Sequence, residues 1–242
     1  MVNDKTLIIA ACVKDAETHL PAFLENIKNI GSMFKSVRYV FVEDGSTDST
    51  RNILEEFEDS VVLSPSTTSN NRVERIGICR NTYLEYAYMT SVDYLLMIDG
   101  DEIGSMMITK ESIESNFNTD VEWDMICANQ PEGYYDLYAL RCDGWIDKDC
   151  WKQYNGWNLE TDVLSKFQKI SKDKLPLKVK SAFGGAAFLN LNRVAEIYHN
   201  DFTTCEWVGF CNQINDVYIN PAFVNFDGIS HHIHDCFALR RG

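Results

Sequence analysis

YLLMIDGDE, residues Tyr94–Glu102, runs through five apolar or aromatic side chains and then breaks into two aspartates around a glycine. A short apolar run closed by a glycine turn predicts a strand buried on both faces, as in parallel sheets. Carboxylates at the end of such a strand need compensation, because an isolated charge out of water neutralises or finds a partner. A divalent cation is one such partner: Asp99 and Asp101 can turn towards one point, and Gly100 lets the backbone approach closely. Hard oxygen ligands in small number suit Mg²⁺ or Mn²⁺, which keep positions open for water and phosphate oxygens. Alone, Asp-Gly-Asp reads more readily as a solvated turn, so the surrounding chain decides.

Upstream, Lys5–Val13 predicts a first buried strand ending at Lys14-Asp15. Over His19–Ile30, residues Leu20, Phe23, Leu24, Ile27 and Ile30 stand at helical spacing, with Pro21 acceptable in the first turn. Val37–Val42 predicts a second strand, closed by Glu43-Asp44-Gly45-Ser46-Thr47-Asp48, and Ser49–Phe57 an amphipathic helix that Ser46, Thr47 or Asp48 can cap. A short strand (Val61–Leu63), a polar loop (Ser64–Asn71), a helix (Arg75–Met89) and a fourth strand (Asp93–Asp101) follow. This alternation predicts an α/β fold, an open and mostly parallel sheet with helices on both faces. Ligands of such sheets sit outside the carboxyl ends of the strands. Three of those ends carry polar clusters here: Lys14-Asp15, Glu43-Asp44 and Asp99/Asp101.

Composition narrows the partners. With 242 residues the chain makes one large domain or two small ones, and 45% apolar with 12% aromatic content excludes wholesale disorder. A formal charge of −14 argues against a nucleic-acid groove, which rests on many Lys and Arg, and no Lys/Arg-rich membrane-surface helix is apparent. No apolar run approaches the roughly eighteen residues of a membrane-spanning helix, so no integral membrane segment is expected. The N-terminal MVNDKTLIIAACVKD reads better as a strand than as a signal peptide. Eight cysteines include no C-x-x-C pair and several lie in apolar runs, which predicts free thiols and a reducing, cytoplasmic setting.

The second half carries further strand signals, Trp123–Ala128 and Tyr134–Arg141, and an aromatic stretch from Cys142 to Trp157. Trp145, Trp151, Tyr154 and Trp157 can stack on sugar rings or form a local hydrophobic cluster. Lys172–Lys180 reads as a solvated basic loop. Ser230-His231-His232-Ile233-His234 gathers three of the chain's five histidines.

Taken together, VFVEDGSTDST (Val40–Thr50), R-x-x-x-x-RN (Arg75 to Asn81) and the strand ending in Asp-x-Asp resemble the nucleotide-sugar-dependent glycosyltransferases of GT-A fold, above all the family 2 type. YYDLYALR (Tyr134–Arg141), SAFGGAAF (Ser181–Phe188), CEWVGF (Cys205–Phe210) and INPAF (Ile219–Phe223) resemble cryptococcal capsule-type mannosyltransferases and related viral and microbial enzymes. The similarity covers nearly the whole chain. It implies a single GT-A domain, with residues 1–102 as the nucleotide-binding half and 103–242 as the acceptor-binding half. It also implies a nucleoside-diphosphate sugar donor, a glycan or glycoconjugate hydroxyl as acceptor, and Mn²⁺ or Mg²⁺.

Residue by residue, the resemblance assigns Asp44 to the nucleobase or ribose, with Ala11 and Val13 contacting the base. Arg75 and Arg80 become candidates for the diphosphate, where guanidinium matches phosphate geometry. Asp101 is the expected metal ligand, and Asp99 either touches the ribose or completes the metal shell. Gly184 and Gly185 lie beside the donor sugar. Glu206 is the expected general base of an inverting transfer, with Asp136, Asp162 and Asp216 as rivals. His232 and His234 are expected as further metal ligands. Each assignment has a plainer counterpart: Asp44 as a turn cap, Glu206 as a first-turn acid facing the helix dipole, the arginines as salt-bridge partners. The chain lacks a clear Q-x-x-R-W, so a processive polymer synthase is not implied. A sugar-nucleotide nucleotidyltransferase would want a glycine- and arginine-rich loop after the first strand, which ACVKDAETH does not supply. A non-catalytic carbohydrate-binding protein of the same fold remains the other alternative.

Overall fold

The computed structural model describes residues 2–65, 68–153 and 158–227. Tyr154, Trp157, His232 and His234, expected above to stack on sugars or bind metal, lie outside the described residues.

The chain alternates β1 (Thr6–Val13), α1 (Leu20–Gly31), β2 (Ser36–Glu43), α2 (Thr50–Glu55), β3 (Ser60–Leu63), α3 (Arg72–Tyr88) and β4 (Tyr94–Ile98). It continues through α4 (Lys110–Ser115), β5 (Met125–Asn129), α5 (Cys150–Gln153), α6 (Leu159–Asp162), β6 (Leu177–Val179), β7 (Ala186–Asn190), α7 (Glu206–Cys211) and β8 (Val217–Val224). All eight strands join one sheet in the order β3-β2-β1-β4-β7-β5-β8-β6. β1 pairs in parallel with β2 and β4, placing Val13 opposite Glu43 and Ala10 opposite Met97.

Strand alternation divides the core into two layers. Ile8, Ala10, Leu95 and Met97 face α3 and α7, whose Tyr83, Leu84, Trp207 and Phe210 close one layer. Leu7, Ile9, Ala11, Leu96 and Ile98 face the other way, against Phe23, Leu24, Ile27 and Ile30 of α1 and Ile113 of α4. Double-sided burial is the reason β1 and β4 read as unbroken apolar runs rather than alternating ones.

Several expectations change. The sheet is mostly parallel as expected, and its antiparallel members are β7, between β4 and β5, and β6, beside β8. β4 ends at Ile98, so neither aspartate of the Asp-Gly-Asp triplet is in the strand. Tyr134–Arg141 is a series of turns, not a strand: Asp136 accepts a hydrogen bond from the Ala139 amide and its carbonyl takes the Leu140 amide, which bends the chain. Within it, Arg141 alone makes an isolated bridge, to Ser181. α3 begins three residues before the expected start because Asn71 caps it, accepting from the amides of Val73 and Glu74. The basic stretch Lys172–Lys180 contains the edge strand β6. Trp145 is a packing residue, donating its indole N–H to the Lys166 carbonyl at 2.7 Å and meeting the Tyr134 ring edge-on.

The insertion of β7 depends on the glycine pair before it. Gly184 and Gly185 have φ of +66° and +80°, and a Cβ on Gly184 would stand 2.6 Å from the Ala128 carbonyl oxygen. Side chains rarely adopt that backbone region, and the backbone of β5 cannot move aside cheaply. Gly184→Ala is expected to lower unfolding stability by about 1–3 kcal/mol. Urea denaturation measures this, and an unchanged midpoint would show that the turn relaxes freely.

Candidate active site

The carboxyl ends of β1, β2 and β4 open on a cleft of about 500 Å³, whose far wall is built from the Tyr135–Tyr138 turns, α5 and the start of α7. That volume is ordinary for a small-molecule site.

The floor is set by backbone proximity. A Cβ on Gly100 would lie 3.0 Å from Val13 and 3.1 Å from the Cys12 carbonyl, so the glycine lets the chain after β4 lie close against the end of β1 where a side chain would crowd it. The Asp44 amide donates to the Val13 carbonyl at 3.1 Å, which ties the second strand end to the first. The rest of the EDGSTDST turn knits two loops together. Asp15, itself at φ +46°, accepts from the Thr47 amide, and its own amide donates to Ser46 Oγ. Thr50 Oγ1 takes the Ala16 amide, and Glu17 takes that of Ser49. Glu43, buried, accepts from the Ser46 amide and from Arg51.

Charge is sorted along the cleft. At one end Asp44 carries two cations, Lys14 Nζ at 3.8 Å and Arg75 Nε at 3.2 Å, and Arg72 lies one helical turn before Arg75. At the other end the carboxylates of Asp99, Asp101, Asp136 and Glu206 line the wall around Arg80. Arg80 is buried and bridges two of them, with Nη2 3.3 Å from Asp99 Oδ1 and Nη1 bonded to Glu206 Oε1. Its guanidinium carbon is 4.4 Å from the centre of the Trp207 ring and 5.1 Å from that of Phe183, two rings stacked on each other. Burial and the neighbouring Asp101 push the Asp99 carboxyl up to about 7, against the opposing pull of Arg80. Asp101 Oδ1 accepts from the Ile103 and Gly104 amides at 3.0 and 3.4 Å.

Of the residues singled out in the sequence, Val13, Asp44, Arg75, Arg80, Asp99, Gly100, Asp101 and Glu206 converge on this cleft. Ala11 is buried in the core beneath it. Gly184 and Gly185 reach it indirectly: the Gly184 amide donates to Asp136, and the Asp99 amide donates to the Gly185 carbonyl. Among the rivals for Glu206, Asp216 is paired with Lys178 and Arg193, Asp162 lies on α6, and Asp136 lines the cleft. Trp151 stands in the cleft wall.

One contributor had no signal in the sequence. His199, in a chain segment without regular structure, is buried, and its Nδ1 is 3.0 Å from the Glu206 carbonyl oxygen. A carbonyl only accepts, so Nδ1 carries the hydrogen. Burial, and then the charge of Arg80, hold this imidazole well below its ordinary range and therefore neutral. Asn81, next to Arg80, fixes His199 by two bonds: Nδ2 donates to its carbonyl at 2.9 Å, and Oδ1 accepts its amide at 2.8 Å. Only a conserved-looking spacing between Asn81 and a distant histidine could have hinted at this, and a single sequence shows none.

The donor chemistry fits a hard divalent cation. Asp99 ionises reluctantly because burial strips its carboxylate of water and, next, because Asp101 stands beside it, and a cation would offset both. Among the described residues no group of three or more His, Cys, Asp or Glu side chains surrounds one point. Two carboxylates are the number with which Mg²⁺ or Mn²⁺ is held when substrate phosphates complete the shell.

The chain has an α/β fold of GT-A type, a mixed, mostly parallel sheet with helices on both faces and a polar cleft at the ends of its first strands. The chain is similar to S. aureus TarS 1–349, at 15% identity and a TM-score of 0.51 over 88% of this chain and 57% of that one. A second structure of S. aureus TarS matches at 14% identity and 0.50, covering 88% of this chain and 35% of that one. The mannosyltransferase PcManGT from Pyrobaculum calidifontis, in complex with GDP-Man and Mn²⁺, aligns at 11% identity and 0.44 over 89% and 56% of the two chains. The chain therefore spans little more than half of TarS 1–349. No protein-family model and no curated protein matches the sequence. All seven cysteines among the described residues are free thiols, and no helix there is long and apolar enough to cross a membrane.

The Asp99 shift has a definite sign. Its folded-state pKa lies above the unfolded value of about 3.9, so between about pH 4 and its folded pKa the folded state holds the extra proton and stability falls as pH rises. Without added metal, the urea midpoint of Asp99→Asn should decline less than that of the parent between pH 5 and pH 8, on the order of the window just given. Parallel curves would mean that Asp99 ionises freely.

Proposed function

We propose that this chain is a metal-dependent, inverting glycosyltransferase that moves a sugar from a nucleoside-diphosphate donor to a glycan or glycoconjugate hydroxyl. The observation that carries the reading is the sorting of charge in one cleft: cations around Asp44 at one end, and carboxylates around Asp99 and Asp101 at the other. A nucleoside diphosphate sugar is a ligand of that polarity. Residues 1–102 supply the donor half and residues 103–242 the acceptor half.

In this reading Asp44 accepts from the base or ribose, and ligand binding draws Arg75 and Lys14 from Asp44 towards phosphate oxygens. Asp99 and Asp101 hold Mn²⁺ or Mg²⁺, which when bound neutralises charge on the departing diphosphate. Glu206 takes the proton of the acceptor hydroxyl. The freed oxygen pair forms a bond to the anomeric carbon while the bond from that carbon to the phosphate oxygen breaks, its electrons leaving with the diphosphate. Attack from the face opposite the leaving group inverts the anomeric centre. Trp151 and Tyr138, in the cleft wall, exclude water around the reacting atoms and offer aromatic surface to the acceptor.

A thermal-shift panel of nucleoside diphosphates and their sugars, with and without Mn²⁺, tests the donor side. A ligand at a hundred times its dissociation constant should add about 2.7 kcal/mol. Asp101→Ala should abolish the metal-dependent part of that shift, and an unchanged shift would remove Asp101 from the metal site. Glu206→Gln should keep donor binding and lose transfer by about a hundredfold or more. Binding with no transfer by the parent protein to any acceptor would favour a carbohydrate-binding protein of the same fold instead.

A further inference from the structure

Arg80 is a buried charge held from several sides. It is packed against the stacked rings of Phe183 and Trp207, and shared between two carboxylates that the proposed chemistry uses for different tasks. A rigid planar fork presents one N–H to each carboxylate in a fixed geometry, whereas a lysine ammonium is a rotatable point charge on a flexible stem.

The two ends of this bridge are not equivalent. Glu206 is held twice. Its side chain rests on Arg80, and its main-chain carbonyl rests on His199, which Asn81 fixes from the same turn of α3. Its other carboxylate oxygen is 3.6 Å from the Cys205 thiol. Asp99, by contrast, keeps about a third of its side chain open to the cleft, and its contact with Arg80 is longer, at 3.3 Å. A cation approaching Asp99 must share that carboxylate with a guanidinium and approach a like charge at short range. Glu206 needs the same guanidinium to keep its carboxylate aimed.

We propose that Arg80 is a positioning residue with two opposed effects: it orients Glu206 for proton removal, and it weakens the hold of Asp99 on a divalent cation. The second effect lets the metal leave with the nucleoside diphosphate instead of remaining on the protein. This inference rests on the glycosyltransferase reading, but the hold of Asp99 on a metal ion can be measured with no sugar donor present.

Mn²⁺ binding to the protein alone, followed by electron paramagnetic resonance of free Mn²⁺, is compared for the parent and Arg80→Gln, together with steady-state transfer. Arg80→Gln should bind Mn²⁺ at least about fivefold more tightly, since a nearby positive charge and a competitor for Asp99 are both gone. Its kcat should fall about a hundredfold, with the donor KM changed much less. General damage to the fold would weaken both. Because Arg80→Gln leaves Glu206 buried without its cation, the double variant Arg80→Gln/Glu206→Gln is measured as well; it leaves only the partly open Asp99 without its arginine and should show the same tightening. Mn²⁺ that binds either variant no more tightly than the parent, or that binds none of the three proteins, overturns the proposal, as does a kcat equal to the parent's. Parent protein that binds Mn²⁺ and transfers sugar while these variants fail to respond leaves the glycosyltransferase reading standing; parent protein that does neither removes both.

Discussion

Arg80 carries a full positive charge from α3 into a layer where its neighbours are Trp207, Phe183 and Tyr83. A buried guanidinium is tolerated only with carboxylates in hydrogen-bonding range, because removing one partner of such a pair costs about 3–5 kcal/mol. That requirement fixes the distance between the end of β4 and the start of α7, elements more than a hundred residues apart in the chain. Their separation is the width of the cleft. The depth of the cleft follows from Gly100, which presses the chain after β4 onto the end of β1. The site is therefore framed by electrostatics on one axis and by steric contact on the other.

The EDGSTDST turn shows how a recognisable motif divides its labour. Most of its polar atoms are used within the protein, joining the loop after β2 to the loop after β1 through Asp15, Ala16 and Glu17. Asp44 is the member whose carboxylate reaches the cleft, and there it gathers Lys14 and Arg75. The motif's other side chains make the rim rigid, so that a single carboxylate is presented from a fixed edge.

β1 and β4 were legible because burial on both faces leaves an uninterrupted apolar run, and the polar residues that follow β1, β2 and β4 mark the cleft. What was not legible is non-local. Tyr134–Arg141 has the composition of a strand, yet the hydrogen bonds of Asp136 turn it. β7 gave an apolar signal, but nothing in AAFLN indicates that it enters antiparallel between β4 and β5; that follows from two left-handed glycines whose role appears only in three dimensions. His199 was silent for a related reason: a lone histidine acquires meaning from Asn81, which approaches it across more than a hundred residues of chain. Glu206 and Arg80 were both picked out from the sequence, but their direct pairing was not, since separate motifs carry no record of which side chain meets which.

The path of β7 has a further consequence. β4 and β5 are consecutive in the chain, yet they touch β7 and not each other. A chain end created near residue 102 would leave β4 with an open row of amides and carbonyls, the template on which sheets pair with strangers. The two halves of this domain are thus stitched rather than hinged. Sequence change is therefore absorbed more readily in the turns around Asp136 and Trp151 than by exchanging everything after β4 as a cassette.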